Sequence, residues 1–186
     1  MIAAATYYLH DLSPFFLRFG EGAFGLRWYG LSYVAAFLAG YMIYLALSRK
    51  GYADLPVNQV GDFMTWWVVL GTIIGGRLGY MVFYDLDGFL SNPLSVFKVW
   101  EGGMSAHGGM IGLVAATLIY SRVHHISWTN LGDNLVVVAP VGLFFGRLAN
   151  FINGELYGRP SNVFWAVQFP KELHGDPAMA TTALRN

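Results

Sequence analysis

The apolar positions of this chain gather into long runs separated by short polar connections. Trp28 to Ser48 holds no charge and is bracketed by Arg27 and by Arg49-Lys50. It is roughly 21 residues long, against the ~20 that a helix needs to cross hydrocarbon. A second run, 63–84, lies between Asp62 and Asp85 and carries Arg77 inside it. A third covers 103–120, and a fourth, 131–152, has Pro140 in its middle. In a membrane helix, neighbouring helices can re-satisfy the backbone groups that a proline frees. The pattern predicts an all-α polytopic membrane protein with about four transmembrane helices, at 28–48, 63–84, 103–120 and 131–152.

The connections predict little regular structure. Gly51 to Gly61 contains Pro56 and Asn58 and reads as a turn. Asn92-Pro93 supplies a cap and a first-turn proline. A short helix is expected to follow to Trp100, with Leu94, Phe97 and Trp100 on one side. Aromatic residues of this kind favour the headgroup layer, so this helix is expected to be interfacial. Residues 1–27, with Phe15, Phe16, Phe19 and Phe24, are expected on the same layer. Residues 28–159 then form the transmembrane domain. Residues 160–186, polar and broken by Pro170, Gly175 and Pro177, form an extramembrane tail.

Composition agrees with membrane embedding. Of 186 residues, 55% are hydrophobic and only 12% charged, about half the ~25% of an average soluble domain. Net charge is zero, which leaves no electrostatic case for nucleic acid as a partner. The absence of cysteine excludes disulfides, thiolate metal sites and a cysteine nucleophile on the protein. The first 25 residues lack a basic start and a continuous apolar core, and Asp11, Pro14 and Arg18 interrupt them. They do not read as a signal peptide, so the first run is expected to be an uncleaved anchor.

The chemistry concentrates in Gly146 to Arg159. There Arg147, Asn150, Asn153 and Glu155 end an apolar run, Leu135 to Phe145. Charged groups at membrane depth usually face a protein interior or a wet cavity and often mark function. Successive spans cross in opposite directions, so Tyr29, Arg77, His107, Arg147, Asn150 and Glu155 are expected in one half of the membrane. Arg77 lies about eight residues, or roughly 12 Å, before the end of its span. Arg147 and Asn150, three apart, share a helical face. Glycines around His107, at 102, 103, 108 and 109, permit close approach of a backbone or a headgroup. An arginine fork matches phosphate, and two arginines with a histidine near the headgroup layer point to an anionic phospholipid.

Each residue also has a plainer reading. Arg77 alone would serve as a structural arginine, paired with Glu155 or capping carbonyls. His107 alone would be an interhelical hydrogen-bonder, and Tyr29 beside Trp28 an interfacial anchor. Asn153-Gly154 could be only a helix stop. His124-His125 lacks partner ligands at metal-site spacing and reads as a solvated loop end.

Four ordered motifs resemble the bacterial prolipoprotein diacylglyceryl transferase family. The family signature Gly-Arg-x-x-Asn-Phe-x-Asn-Gly-Glu-x-x-Gly is met by Gly146 to Gly158. Arg27-Trp28-Tyr29-Gly30 resembles the start of the family's first membrane helix, and Gly75-Gly76-Arg77-Leu78-Gly79-Tyr80 its second-helix motif. Gly102 to Gly109 resembles its histidine motif, with Ala106 where a bulkier residue is common. The likeness runs from about Arg27 to Phe169.

The resemblance implies transfer of a diacylglyceryl group from phosphatidylglycerol to the lipobox cysteine thiol of a prolipoprotein signal peptide. A thioether forms and glycerol 1-phosphate leaves, with no cofactor and no metal. It implies catalytic roles for His107, Arg147, Asn150 and Tyr29. Arg147, Arg77, Asn150, Asn153, Gly154, Glu155 and Gly158 are implied to hold phosphatidylglycerol. His107 would accept the thiol proton or orient the phosphate. The implied location is the bacterial plasma (inner) membrane, multi-pass, with the site facing outward. Charge alone is divided on orientation, since Arg49, Lys50 and Arg122 oppose Arg18 and Arg27. Family members resemble seven-span proteins whose later part carries a His-Pro-Ser motif and another arginine. That part of the family fold is absent here, so a fragment with doubtful activity alone is expected. The competing readings are a non-catalytic phospholipid-binding membrane protein and a small transporter or channel lined by Arg77 and Arg147.

Overall fold

The computed structural model describes residues 8–20, 25–98, 102–156, 158–159, 161 and 163–169. Its helices are α1 (Trp28–Arg49), α2 (Val60–Asp62), α3 (Leu70–Tyr84), α4 (Leu86–Ser91), α5 (Ala106–His124) and α6 (Trp128–Asn153). A 3₁₀ turn at Val57–Gln59 and a π-helical stretch at Phe63–Val69 join α2 and α3 into one helical run, 57–84. Four short strands complete the fold: β1 (Tyr8–Leu9), β2 (Phe15–Arg18), β3 (Gly25–Arg27) and β4 (Val167–Gln168).

Three helices are long and apolar enough to cross a membrane: Trp28–Arg49, Val57–Tyr84 and Trp128–Asn153. The shortest has 22 residues, about 33 Å at ~1.5 Å per residue, which matches a ~30 Å hydrocarbon core. Their outward side chains are apolar: Met42 is 65% exposed, Val136 70% and Leu143 69%. Such surfaces are anomalous in water and ordinary in lipid. The third expected span, 103–120, is realised as α5, a helix of 19 residues. It is not among the three, because His107, Arg122 and His124 fall within it and lower its mean hydropathy.

The chain divides into two compact units, residues 1–39 with 140–186, and residues 40–139. The division falls inside α1 and α6.

In the unit of residues 40–139, α3 packs along α5 through small residues. Gly71, Gly75 and Gly79 recur every fourth position on α3 and meet Gly108, Gly112 and Ala116 on α5. A methyl group on Gly75 would lie 2.5 Å from the Gly108 carbonyl oxygen, so the two backbones touch. Close backbone approach through small residues is how helices associate where lipid removes the hydrophobic drive. An apolar groove of about 560 Å³ runs along this seam, lined among others by Trp66, Leu70, Ile74, Leu78, Ile111 and Ile119. At the other end of the helices, Tyr44, Phe63 and Tyr120 form a buried aromatic row, with ring centroids 5.6 and 4.7 Å apart. The turn expected at 51–61 is shorter, because the helix already starts at Val57. It is pinned by Asn130, whose Oδ1 accepts from the Asp54 amide at 2.8 Å and whose Nδ2 donates to the Tyr52 carbonyl at 3.1 Å. His124, exposed at the end of α5, stacks on Tyr120 at 4.0 Å.

The helix expected from Asn92 to Trp100 is in fact a 3₁₀ turn, Pro93–Phe97, preceded by α4. Trp100 lies outside the described residues. Leu94 and Phe97 are both exposed, and the Asn92 side chain makes no capping hydrogen bond.

In the other unit, the N-terminal segment forms short strands. β1 pairs in parallel with β4, and β2 pairs antiparallel with β3. Trp28 is tied back by its amide to the Pro14 carbonyl at 3.1 Å and meets the Phe16 ring at 4.8 Å. His10 is buried between the rings of Phe151 and Phe169. Phe24, expected on the interfacial layer, lies outside the described residues, as does the tail beyond Phe169.

Candidate functional site

The signature stretch begins inside α6 and leaves it through a defined cap. Asn153 is the last helical residue, and Gly154 follows with φ of 69°. The Glu155 amide donates to the Asn150 carbonyl at 2.9 Å, and the Gly154 amide to the Phe151 carbonyl at 3.0 Å. This pair of bonds is a Schellman motif, which needs a left-handed residue where glycine is cheapest. Asn153-Gly154 is therefore a helix stop, and the stop fixes where the polar side chains stand. Asn153 Nδ2 donates to Glu155 Oε1 at 3.2 Å, while Asn153 Oδ1 is buried with no hydrogen-bond partner among the described residues.

Asn150 sits about one turn before this cap and Arg147 about two. Arg147 is exposed and engages no partner among the described residues. An unpaired guanidinium at the end of an apolar helix keeps all five donors available in a fork suited to phosphate. Tyr29, at the start of α1, shares a hydrogen bond with Tyr33 at 3.1 Å between their hydroxyls, and the Glu155 carboxylate acts on it electrostatically. Tyr29, Arg147, Asn150, Asn153, Gly154 and Glu155 all belong to this unit. Gly158 is exposed, with open space around it.

Arg77 and His107 belong to the other unit. Arg77 is only 5% exposed, and backbone carbonyls surround its guanidinium. Nε donates to Val96 at 3.1 Å, Nη2 to Ser95 at 2.6 Å, and Nη1 to Gly103 at 3.0 Å and also to Gly102. Of the plainer alternatives for Arg77, carbonyl capping is the one realised. Its donors are occupied, in contrast to those of Arg147, so its expected place as a phosphatidylglycerol ligand is not supported by its geometry. His107 stands exposed in the first turn of α5, two residues past Ser105, whose hydroxyl caps the helix by accepting from the Gly108 amide at 3.2 Å. None of the candidate polar residues lines the apolar groove between α3 and α5.

Sequence reasoning missed two elements. The small-residue seam was readable from the spacing of Gly71, Gly75 and Gly79 against Gly108, Gly112 and Ala116. The clasp of Arg77 on the carbonyls of Ser95, Val96, Gly102 and Gly103 was not, because backbone acceptors leave no trace in side-chain pattern. Among the described residues, no group of three histidines or carboxylates is placed to hold a metal ion.

These features define a class: a helical membrane protein with an arginine and two asparagines in the last turns of an apolar helix, before its cap. Comparison with known proteins narrows it. The family model described as prolipoprotein diacylglyceryl transferase matches residues 14–184, and the chain belongs to that family. It is 48% identical over 157 residues to the phosphatidylglycerol–prolipoprotein diacylglyceryl transferase of Rhodospirillum rubrum, covering 84% of this chain and 56% of that protein. The enzyme of the same name from Bdellovibrio bacteriovorus is 45% identical over 184 residues, covering 95% of this chain and 51% of the relative. That from Azospirillum brasilense is 49% identical over 157 residues, covering 84% and 58%. The chain thus spans between half and six-tenths of the length of these relatives.

Proposed function

We propose that this protein acts in transfer of a diacylglyceryl group from phosphatidylglycerol to the lipobox cysteine of a prolipoprotein signal peptide. The thiol sulfur attacks the glyceryl carbon that carries the phosphate. The carbon–oxygen bond breaks, a thioether forms, and glycerol 1-phosphate departs. The observation that carries this reading is the exposed Arg147, without a partner among the described residues, about two turns before the Gly154 cap, with Asn150 on its helical face, in a chain of this family.

Negative charge grows on the phosphate oxygen as the carbon–oxygen bond breaks. Pre-placed donors aimed at developing charge lower such barriers most effectively in a water-poor site. Arg147 supplies the fork and Asn150 an amide donor for that phosphate. Glu155, held by Asn153, and Tyr29 orient these groups. Asn153, Gly154 and Gly158 shape the loop that receives the headgroup. His107 accepts the thiol proton or orients the phosphate. The base contribution is modest, because a thiol with pKa ~8.5 is already partly ionised near neutral pH.

The protein is placed in the bacterial plasma membrane, with α5 as a further crossing and the site on the outer side. Phosphatidylglycerol, membrane lipids and a lipobox peptide are its partners. The test is direct: the chain is inserted into vesicles containing phosphatidylglycerol labelled in the glycerol headgroup and offered a lipobox peptide. Peptide-dependent release of labelled glycerol 1-phosphate supports the reading. Phosphatidylglycerol binding without release supports a non-catalytic lipid-binding protein instead.

A further inference from the structure

We infer that Arg77 is a positioning residue: its guanidinium ties Ser95 and Val96 to Gly102 and Gly103, and that tie sets the start of the helix carrying His107. The inference rests on the transfer reading for the role of His107.

The geometry is specific. Arg77 gives hydrogen bonds to the carbonyls of Ser95 and Val96 and to those of Gly102 and Gly103. Bringing the two glycine carbonyls to one Nη1 requires left-handed backbone, and Gly102 and Gly103 have φ of 84° and 79°. Gly103 also lies against the ring of Tyr80, where a Cβ would come within 2.6 Å. The same ring stands 5.8 Å from the Arg77 guanidinium carbon. Immediately beyond, the Ser105 amide donates to the carbonyl of Gly76 at 2.9 Å. Ser105 then caps α5 through its hydroxyl, and His107 follows two residues later. A continuous set of bonds therefore runs from Arg77 and its neighbour Gly76 to the first turn of α5.

Hydrogen bonds from a guanidinium to carbonyls are charge-assisted, and such bonds are roughly twice as strong as neutral ones. For Arg77 to clasp a phosphate it would have to release these carbonyls and unfold the segment that precedes His107. Lysine cannot replace it, because a single ammonium has three donors and no planar fork.

The test uses the full chain in phosphatidylglycerol vesicles with Arg77→Gln and Arg77→Lys, read by hydrogen exchange and by transfer to a lipobox peptide. Both variants are expected to speed amide exchange across 95–109 at least tenfold, with exchange in 141–149 unchanged. The turnover rate, kcat, is expected to fall at least tenfold while KM for phosphatidylglycerol stays within twofold. A tenfold rise in KM with intact protection across 95–109 would overturn the inference and make Arg77 a headgroup ligand. Lost protection with unchanged kcat would also overturn it, as would no change in either. Should the Arg77 variants fail to insert, Gly103→Ala leaves the arginine in place but drives Tyr80 and residue 103 apart. It is expected to give the same loss of kcat and protection, and wild-type behaviour there counts against the inference. If the wild-type chain transfers nothing, the transfer reading fails by itself, while the exchange comparison still decides whether Arg77 holds the segment.

Discussion

Replacing Gly75 with alanine perturbs the contact between α3 and α5 at its tightest point. The added Cβ would lie 2.5 Å from both the Gly108 carbonyl oxygen and the Gly112 Cα. Carbon atoms in ordinary contact stand about 3.5–4.0 Å apart, so the overlap is about 1 Å against two backbone atoms. Neither can rotate away, and the helices must separate along the seam. Overpacking of this kind costs about 1–3 kcal/mol. Alanine also gains about 0.5–1 kcal/mol over glycine from helix propensity, which obscures the steric term. Gly132→Ala supplies the reference, because a Cβ there meets nothing within 4 Å. Propensity cancels between the two variants, and Gly75→Ala should be less stable than Gly132→Ala by about 1–3 kcal/mol. Reversible unfolding in mixed detergent micelles measures the difference. Equal stability of the two variants would refute the account of the seam.

Two further substitutions test the site. Gly154→Ala places a Cβ on left-handed backbone at φ of 69°, which costs about 1–2 kcal/mol; unfolding measurements should show this loss, and Gly158→Ala should show almost none. His107→Gln should slow transfer to a lipobox peptide by about tenfold if the imidazole takes the thiol proton, and near-normal transfer would leave His107 only an orienting role.

The membrane helices were legible in the sequence because hydrocarbon thickness imposes a length that apolar runs must meet. Helices at 28–49, 57–84 and 128–153 cover the runs expected at 28–48, 63–84 and 131–152. The helix at 57–84 started earlier than expected because Val57 to Asp62 is helical despite Pro56, which only fixes the entry. The strand pairs at 8–9 with 167–168 and at 15–18 with 25–27 were not legible. Strands of two to four residues carry no usable period, and the first pairing joins segments far apart in the chain. The signature motif was fully legible, and its Asn153-Gly154 step realised the helix stop that dihedral preference favours. Arg77 and Arg147 looked alike in sequence, as arginines within or at the end of apolar runs. Their surroundings separate them: one is enclosed by backbone carbonyls, and the other is exposed without a partner among the described residues.

The central claim is that Arg147 holds the phosphate of phosphatidylglycerol while the carbon–oxygen bond breaks. The most direct measurement is transfer of labelled diacylglyceryl to a lipobox peptide by Arg147→Ala and Arg147→Lys, each shown to insert as the wild type does. Removal of one such donor group typically costs about 10²–10³ in rate, and lysine should restore little because it lacks the planar fork. The account predicts a loss of at least about 10²-fold in both variants, with glycerol 1-phosphate release falling in parallel. Transfer by Arg147→Ala at close to the wild-type rate would contradict it.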